Sequence, residues 1–242
     1  MPDRDDRLEK LQQSVDAMRQ ELRELTDLIP KWLAQSTQQE EYLDILLRAL
    51  AVERGWLPPT RGIAASPDFL LCIAGHLLAA KPDIVAECGA GVTTLVIARC
   101  LELNGYGKLF SLESDEGQAG LARERLRERG LTGFAQILHC PLEPIEIAGT
   151  SHHWYRLGDF GITGIQCLVI DGPAVVQANP LARYPAGPQL FPRLANDAVV
   201  FLDDYQRESE RRTVERWRKE FPRLVLREEF AEKGCARLQF RP

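Results

Sequence analysis

No apolar run in this chain approaches the about 20 residues needed to cross a bilayer, so no membrane span is expected. The N-terminus, Met1-Pro2-Asp3-Arg4-Asp5-Asp6-Arg7, lacks the apolar core of a secretory signal. Also missing is any lysine/arginine block of the kind that grips phosphate backbones, and the formal net charge is −5. Nucleic acid is therefore not an expected partner. The six cysteines (Cys72, Cys88, Cys100, Cys140, Cys167, Cys235) form no C-x-x-C pair, and most sit within apolar runs. That pattern disfavours structural zinc and points to buried, reduced thiols in a cytoplasmic protein. No internal repeat is present. Apolar residues are plentiful: 45% of the 242 residues are hydrophobic, enough for one α/β domain and an appendage.

The appendage is N-terminal. Leu8, Leu11, Val15, Met18, Leu22, Leu25 and Ile29 alternate steps of three and four, a heptad seam that Pro30 is expected to end. A helix this short is marginal alone, so its stripe needs a partner. That partner is either a second copy, giving a homo-oligomer through a short coiled coil, or the chain's own remaining surface. A packing helix is expected over about 32–52. The organisation expected is a helical region over 1–55, a linker over 56–65 containing Pro58, Pro59 and Gly62, and a domain over 66–242.

In that domain Ser66-Pro67-Asp68 gives a helix start. Strands are expected at 84–87, 109–113, 135–139, 166–171 and 198–203. Helices are expected at 66–80, 93–103, 116–129, near 189–193 and at 207–220. Residue 139 leads into a loop that holds His152 and His153. Strands at 224–230 and 236–240, joined by a tight turn at 231–234, close the chain. Alternating strands and helices argue for a mainly parallel sheet whose strand ends share one edge.

The densest signal is Glu87-Cys-Gly-Ala-Gly-Val-Thr-Thr94, a strand running into a glycine turn and then a helix. Gly89 and Gly91 allow a sharp bend and close approach of a ligand. Glu113 ends the next apolar run 22 positions after Gly91, placed to grip ribose hydroxyls. A dinucleotide fingerprint needs a third glycine, where this chain has Thr94, and Glu87 would repel a pyrophosphate. The acid suits a cationic ligand instead. This E-x-G-x-G arrangement, with an acid ending the second strand, resembles the class I S-adenosylmethionine-dependent methyltransferases. The resemblance covers about 66–240. It implies a Rossmann-like α/β sheet of seven mostly parallel strands with the last antiparallel, and S-adenosylmethionine as cofactor. It further implies that Glu87, Gly89, Gly91 and Thr93 hold the methionine end, Glu113 the ribose, and Cys140 to Leu142 the adenine border.

Acids also end the later strands: Asp171 in Cys167-Leu-Val-Ile-Asp171-Gly-Pro173, and Asp203 and Asp204 in Val199-Val-Phe-Leu-Asp203-Asp204. Three carboxylates gathered together are costly unless they meet a cation or stay hydrated. They resemble the metal site of catechol-type O-methyltransferases, which would assign Asp171, Asp203 and Asp204 to Mg²⁺ and make the ion lower an acceptor hydroxyl's pKa. The family's lysine base three positions after the first acid is here Ala174. Without metal, Asp171 would hydrogen-bond substrate or cofactor, and Asp203 or Asp204 would cap the next helix. Asp171-Gly-Pro173, Arg183-Tyr-Pro185 and Phe201-Leu-Asp-Asp204 with Arg207 also resemble bacterial methyltransferases of glycans and natural products. Asp171, Asp203 and His152 are the catalytic candidates. Arg183 and Tyr184 are placed as a substrate lid or a turn, and Arg207 as a partner of the acids or part of a solvated face. The expected activity is O-methylation of a small-molecule or glycan hydroxyl. The alternative is a coiled-coil interaction protein with a degenerate domain.

Overall fold

The structure, a computed structural model, describes residues 2–158, 160–175, 179–229 and 231–240, with side chains for all but 2–6 and 8. The Leu8 side chain and Phe230 therefore lie outside what is described. The chain divides into two units, Met1–Glu41 and Tyr42–Pro242. The second unit thus begins well before the expected boundary at 65/66.

Helix α1, Pro2–Ala49, carries Pro30 inside it instead of ending there, and absorbs the second expected helix. The proline removes one N–H bond, to the Thr26 carbonyl, at a cost of about 3 kcal/mol. Strong helix formers follow at Lys31, Leu33, Ala34 and Gln35, so the helix continues. In the first unit Leu11, Met18, Leu22, Leu25 and Ile29 of the stripe are exposed, and Val15 is half-buried.

The second unit continues with α2 (Pro67–Ala80), β1 (Ile84–Cys88), α3 (Val92–Asn104), β2 (Lys108–Glu113), α4 (Glu116–Glu128) and β3 (Ala135–His139). A hairpin follows, β4 (Leu142–Ile147) and β5 (Thr150–Tyr155). Then come β6 (Ile165–Ile170), α5 (Ala186–Leu190), β7 (Leu194–Leu202), α6 (Glu208–Glu220), β8 (Leu224–Glu229) and β9 (Cys235–Phe240). Among the described residues the main sheet has seven strands, in the order β3-β2-β1-β6-β7-β9-β8. The first five in that order are parallel, while β9 runs antiparallel to both β7 and β8.

Both faces are covered, so the central strands are nearly continuous apolar runs. Their side chains still alternate. Val85, Cys167, Val169, Val199 and Phe201 join the core under α2, α3 and α4. Ala86, Leu168, Ile170, Val200 and Leu202 join the opposite core with Trp154, Tyr184 and Trp217. Leu46, in the last turn of α1, and Leu50, just after it, are wholly buried in the first of these cores.

The order of connection reverses between β1 and β6, which opens a crevice beyond the strand ends. Register sets its rim. Cys88 lies level with Leu112 and Ile170, and Ile170 with Leu202. The next residues, Gly89, Glu113, Asp171 and Asp203, therefore emerge together on one edge.

The loop expected after β3 is instead the β4–β5 hairpin, paired from Leu142↔Tyr155 to Ile147↔Thr150. Its two-residue turn, Ala148-Gly149, has both φ angles positive, at 50° and 76°. That geometry matches the twist of the flanking strands, but it is usually signalled by Asn-Gly or Asp-Gly. With alanine in the turn and Pro144 within a strand, the hairpin has a weak signature.

Candidate active site at the carboxyl edge of the sheet

Gly89 follows β1 with φ +91°, and its N–H donates to the Leu112 carbonyl at 2.8 Å. A Cβ there would lie 3.1 Å from the Gly172 nitrogen, and one on Gly172 would lie 2.9 Å from the Gly89 Cα. The turns after β1 and β6 thus meet backbone to backbone. Gly91 differs: a Cβ would meet nothing within 4 Å. Its bare face opens on a cleft of about 560 Å³. Space that the protein leaves unfilled beside a helix N-terminus suits a ligand.

Thr94 stands where a dinucleotide fingerprint would have its third glycine, and it has work that glycine lacks. Its hydroxyl accepts from the Gly91 N–H at 2.9 Å and donates to Glu87 Oε2 at 2.6 Å. Ser111 donates to the same oxygen at 2.6 Å. Glu87 is fully buried below the turn, and Oε1 has no hydrogen-bond partner among the described residues. Burial pushes its carboxyl up to about 7, against the pull of the surrounding hydroxyls. Glu87 therefore braces the glycine turn from beneath and does not line the cleft. Thr93 is buried in the first turn of α3 and does not line the cleft.

Glu113 does line the cleft. Its Oε2 accepts from the Ala90 N–H and its Oε1 from the Asp115 N–H, both at 2.9 Å. Oε1 also accepts from the Ser114 hydroxyl at 3.4 Å, so Oε2 is the oxygen that keeps a lone pair for a diol. Asp115 caps α4 through the Gln118 N–H and lines the cleft beside it. Tyr155 and Asp171 to Ala174 form another wall, and Pro58, Pro59 and Ile63 to Ala65 a further one. The segment read as a linker is thus part of the site. It is fastened by Arg61 to Glu232 at 2.5 Å and by Lys233 Nζ to the Ala64 carbonyl at 3.1 Å.

Besides Glu87 and Thr93, three further predicted residues lie away from this cleft. Cys140 is buried beside a separate cavity of about 450 Å³, and burial pushes its thiol up. Leu142 is 38% exposed in β4. His152 lies in β5, not in a loop, and the strand turns it to within 5.0 Å of the Tyr184 ring. Its Nε2 is buried without a hydrogen-bond partner among the described residues, and burial holds its pKa down. Tyr184 is wholly buried and Arg183 nearly so, which removes them as a lid.

Asp171, Asp203 and Asp204 do come together, with one ligand atom from each within 4.8 Å of the others. Arg183 runs through the group. Its Nη1 donates to the Asp203 carbonyl at 2.9 Å; its Nη2 donates to Asp204 Oδ2 at 2.9 Å and to the Asp171 carbonyl at 3.2 Å. Lys233 Nζ stands 3.5 Å from Asp203 Oδ2, and Arg207 Nη1 stands 2.9 Å from Asp204 Oδ2. Arg207 thus pairs with the acids. Neither acid caps α6, whose N-cap is Arg207 itself. Asp203 and Asp204 are 0% and 2% exposed, so Asp171 alone presents its carboxyl to the cleft. Burial and the Asp203 charge raise the Asp171 pKa. These residues do not fit a bound Mg²⁺: Asp203 and Asp204 are sealed from the solvent that would supply the ion's waters, and Arg183, Arg207 and Lys233 already stand 2.9–3.6 Å from their carboxylates. Asp203 Oδ2 and Asp204 Oδ1 keep no hydrogen-bond partner among the described residues and are balanced by these nearby charges alone.

A sheet in this order, with a glycine turn and a ribose-type acid at its reversal point, defines a class I methyltransferase fold. Residues 86–205 match the family model described as a methyltransferase domain, and that segment is such a domain. Solved structures agree on the fold. A methyltransferase from Geobacter sulfurreducens is similar at 14% identity and a TM-score of 0.54, covering 84% of this chain and 90% of that one. An O-methyltransferase from Bacillus cereus in complex with SAH is similar at 15% identity and a TM-score of 0.53, covering 83% and 91%. The O-methyltransferase TomG from Streptomyces achromogenes, involved in tomaymycin synthesis and solved with SAM, is similar at 13% identity and a TM-score of 0.54, covering 84% and 89%. No curated protein matches the chain in sequence. No helix among the described residues is long and apolar enough to cross a membrane.

Proposed function

We propose that this chain is an S-adenosylmethionine-dependent O-methyltransferase acting on a hydroxyl of a small molecule or glycan. The observation that carries the reading is a single cleft bounded by the bare face of Gly91, the oriented Glu113 carboxylate and the Asp171 carboxyl. When bound, S-adenosylmethionine supplies an electrophilic methyl group on a sulfonium. The chain's part is placement. Glu113 takes the ribose hydroxyls through the Oε2 lone pair that Ala90 leaves free. Gly91 and the first turn of α3 receive the methionine end. Asp171, set opposite the glycine turn, orients the acceptor hydroxyl and takes its proton. Holding an acceptor oxygen in line supplies much of the rate of such a displacement.

Calorimetric titration with S-adenosylmethionine tests the cofactor, with one site per chain expected. An acceptor screen for S-adenosylhomocysteine release tests the reaction. Folded protein that shows no cofactor binding would defeat the reading and favour the interaction-protein alternative.

We also propose that the stripe on α1 pairs with a second copy. Its heptad spacing suits a like helix, and its large side chains stand exposed. Leu22→Lys with Leu25→Lys is expected to lower the mass measured by light scattering to that of one chain. An unchanged mass would count against it.

A further inference from the structure

We propose that Arg183 holds the place of a divalent ion in the Asp171, Asp203 and Asp204 cluster, so that the site operates without metal. The methyl-transfer role attached to it rests on the function proposed above; the metal statement does not. In the arrangement the sequence resembles, a cation gathers acids from two strand ends and lowers the pKa of an acceptor hydroxyl. Here a guanidinium does the gathering, and taking the proton falls to Asp171. Its Nη1 binds the Asp203 carbonyl just after β7, and its Nη2 binds the Asp171 carbonyl and carboxyl just after β6 at 3.2 and 3.4 Å, with Asp204 Oδ2 at 2.9 Å. An arginine offers five donors in a fixed fork, which suits four oxygens spread over two loops better than a point charge does.

Charge and space favour the same assignment. Arg183, Lys233 and Arg207 face the carboxylates of Asp171, Asp203, Asp204 and Glu210. A further double charge at coordination distance would sit beside cations that already share its ligands. Mg²⁺ also keeps several waters when bound. Asp203 and Asp204 are sealed from solvent, and the only exposed edge of the cluster is that of Asp171, whose side chain is 17% exposed. Arg183 is therefore a positioning residue acting through Asp171: it fixes the carboxyl that faces the cleft while touching no ligand itself.

The test is Mn²⁺ titration of the full chain, read by the electron paramagnetic resonance signal of free Mn²⁺. Wild-type protein is expected to leave that signal unchanged at millimolar metal. Stoichiometric Mn²⁺ binding that disappears in Asp171→Asn would overturn the proposal. Arg183→Met, shown to be folded by circular dichroism, is expected to gain one Mn²⁺ site, lost again when Asp204→Asn is added. A folded Arg183→Met that takes up no Mn²⁺ would also overturn it. Should that variant fail to fold, Arg183→Lys serves. It keeps the charge and loses the fork, so it is expected to exclude Mn²⁺, hold S-adenosylmethionine as wild type does, and lose about tenfold or more in kcat with KM little changed. Manganese uptake by Arg183→Lys at the three acids would refute the assignment. If no acceptor is ever found, the metal readings stand alone, so failure of the functional reading remains distinct from failure of this one.

Discussion

Thr94→Val should cost stability in a way that depends on pH, and the size of that dependence follows from what the hydroxyl touches. Valine keeps the shape and loses two bonds, the one accepted from Gly91 and the one donated to Glu87 Oε2. Gly91 lies at the cleft, where water can replace its partner. Glu87 is fully buried, where water cannot. Burial raises its carboxyl from 4.5 to about 7. A carboxyl raised on folding contributes stability that is complete below its unfolded value and is lost as pH rises through the folded one. Glu87 is therefore protonated at about pH 5.5 and ionised at about pH 8.5. The variant loses a neutral hydrogen bond in the first condition, about 1 kcal/mol, and a charged one in the second, about 2–3 kcal/mol. Urea unfolding of wild type, Thr94→Val and Thr94→Ser at both pH values measures this, with serine expected to stay near wild type. A valine penalty equal at the two pH values, or larger at the acidic one, would refute the bracing role assigned to Glu87.

Further outcomes follow from the cleft. Glu113→Gln turns an amide N–H toward a backbone N–H and loses an acceptor, so affinity for S-adenosylmethionine should fall about 10–100-fold by calorimetry, a loss of roughly 1–3 kcal/mol. Asp171→Asn should lower turnover about 10²-fold or more while cofactor affinity changes by less than about threefold. An equal fall in both would contradict the division of roles. Asp171 accepts a proton only when ionised, and burial and Asp203 raise its pKa. The wild-type rate should therefore climb with pH through a midpoint above the ordinary carboxylate range. Gly91→Ala and Gly172→Ala separate ligand space from packing. The first meets nothing within 4 Å and should weaken only cofactor binding; the second places Cβ 2.6 Å from the Tyr155 hydroxyl and should cost about 1–3 kcal/mol in unfolding.

The parts of the fold legible in the sequence are those where local pattern and burial agree. The strand, turn and helix at 84–104 could be read because Gly89 and Gly91 interrupt two apolar runs, and register then carried Glu113 and Asp171 to the same edge. What was not legible depends on contacts distant in sequence. Pro30 reads as a helix stop, yet the segments on both sides are strong helix formers and α1 runs through it. Ala148-Gly149 lacks the usual hairpin residues, so local pattern puts His152 in a loop, whereas strand pairing turns it toward Tyr184. Pro58 and Ile63 carry no ligand signal of their own; they line the cleft because Arg61 and the Ala64 carbonyl are tied to Glu232 and Lys233, about 170 residues on. Arg183 is the most instructive case. Position in the chain suggests only a lid or a turn, because no local rule reports that the carbonyls of residues 171 and 203 converge on it. The three acids were visible as a cluster whose charge needed a counterpart, but spacing alone gave no means of deciding between a metal ion and an arginine. The deciding fact is geometric: a donor fork buried between two strand ends already meets a carboxyl oxygen of Asp171, one of Asp204 and the carbonyls of residues 171 and 203.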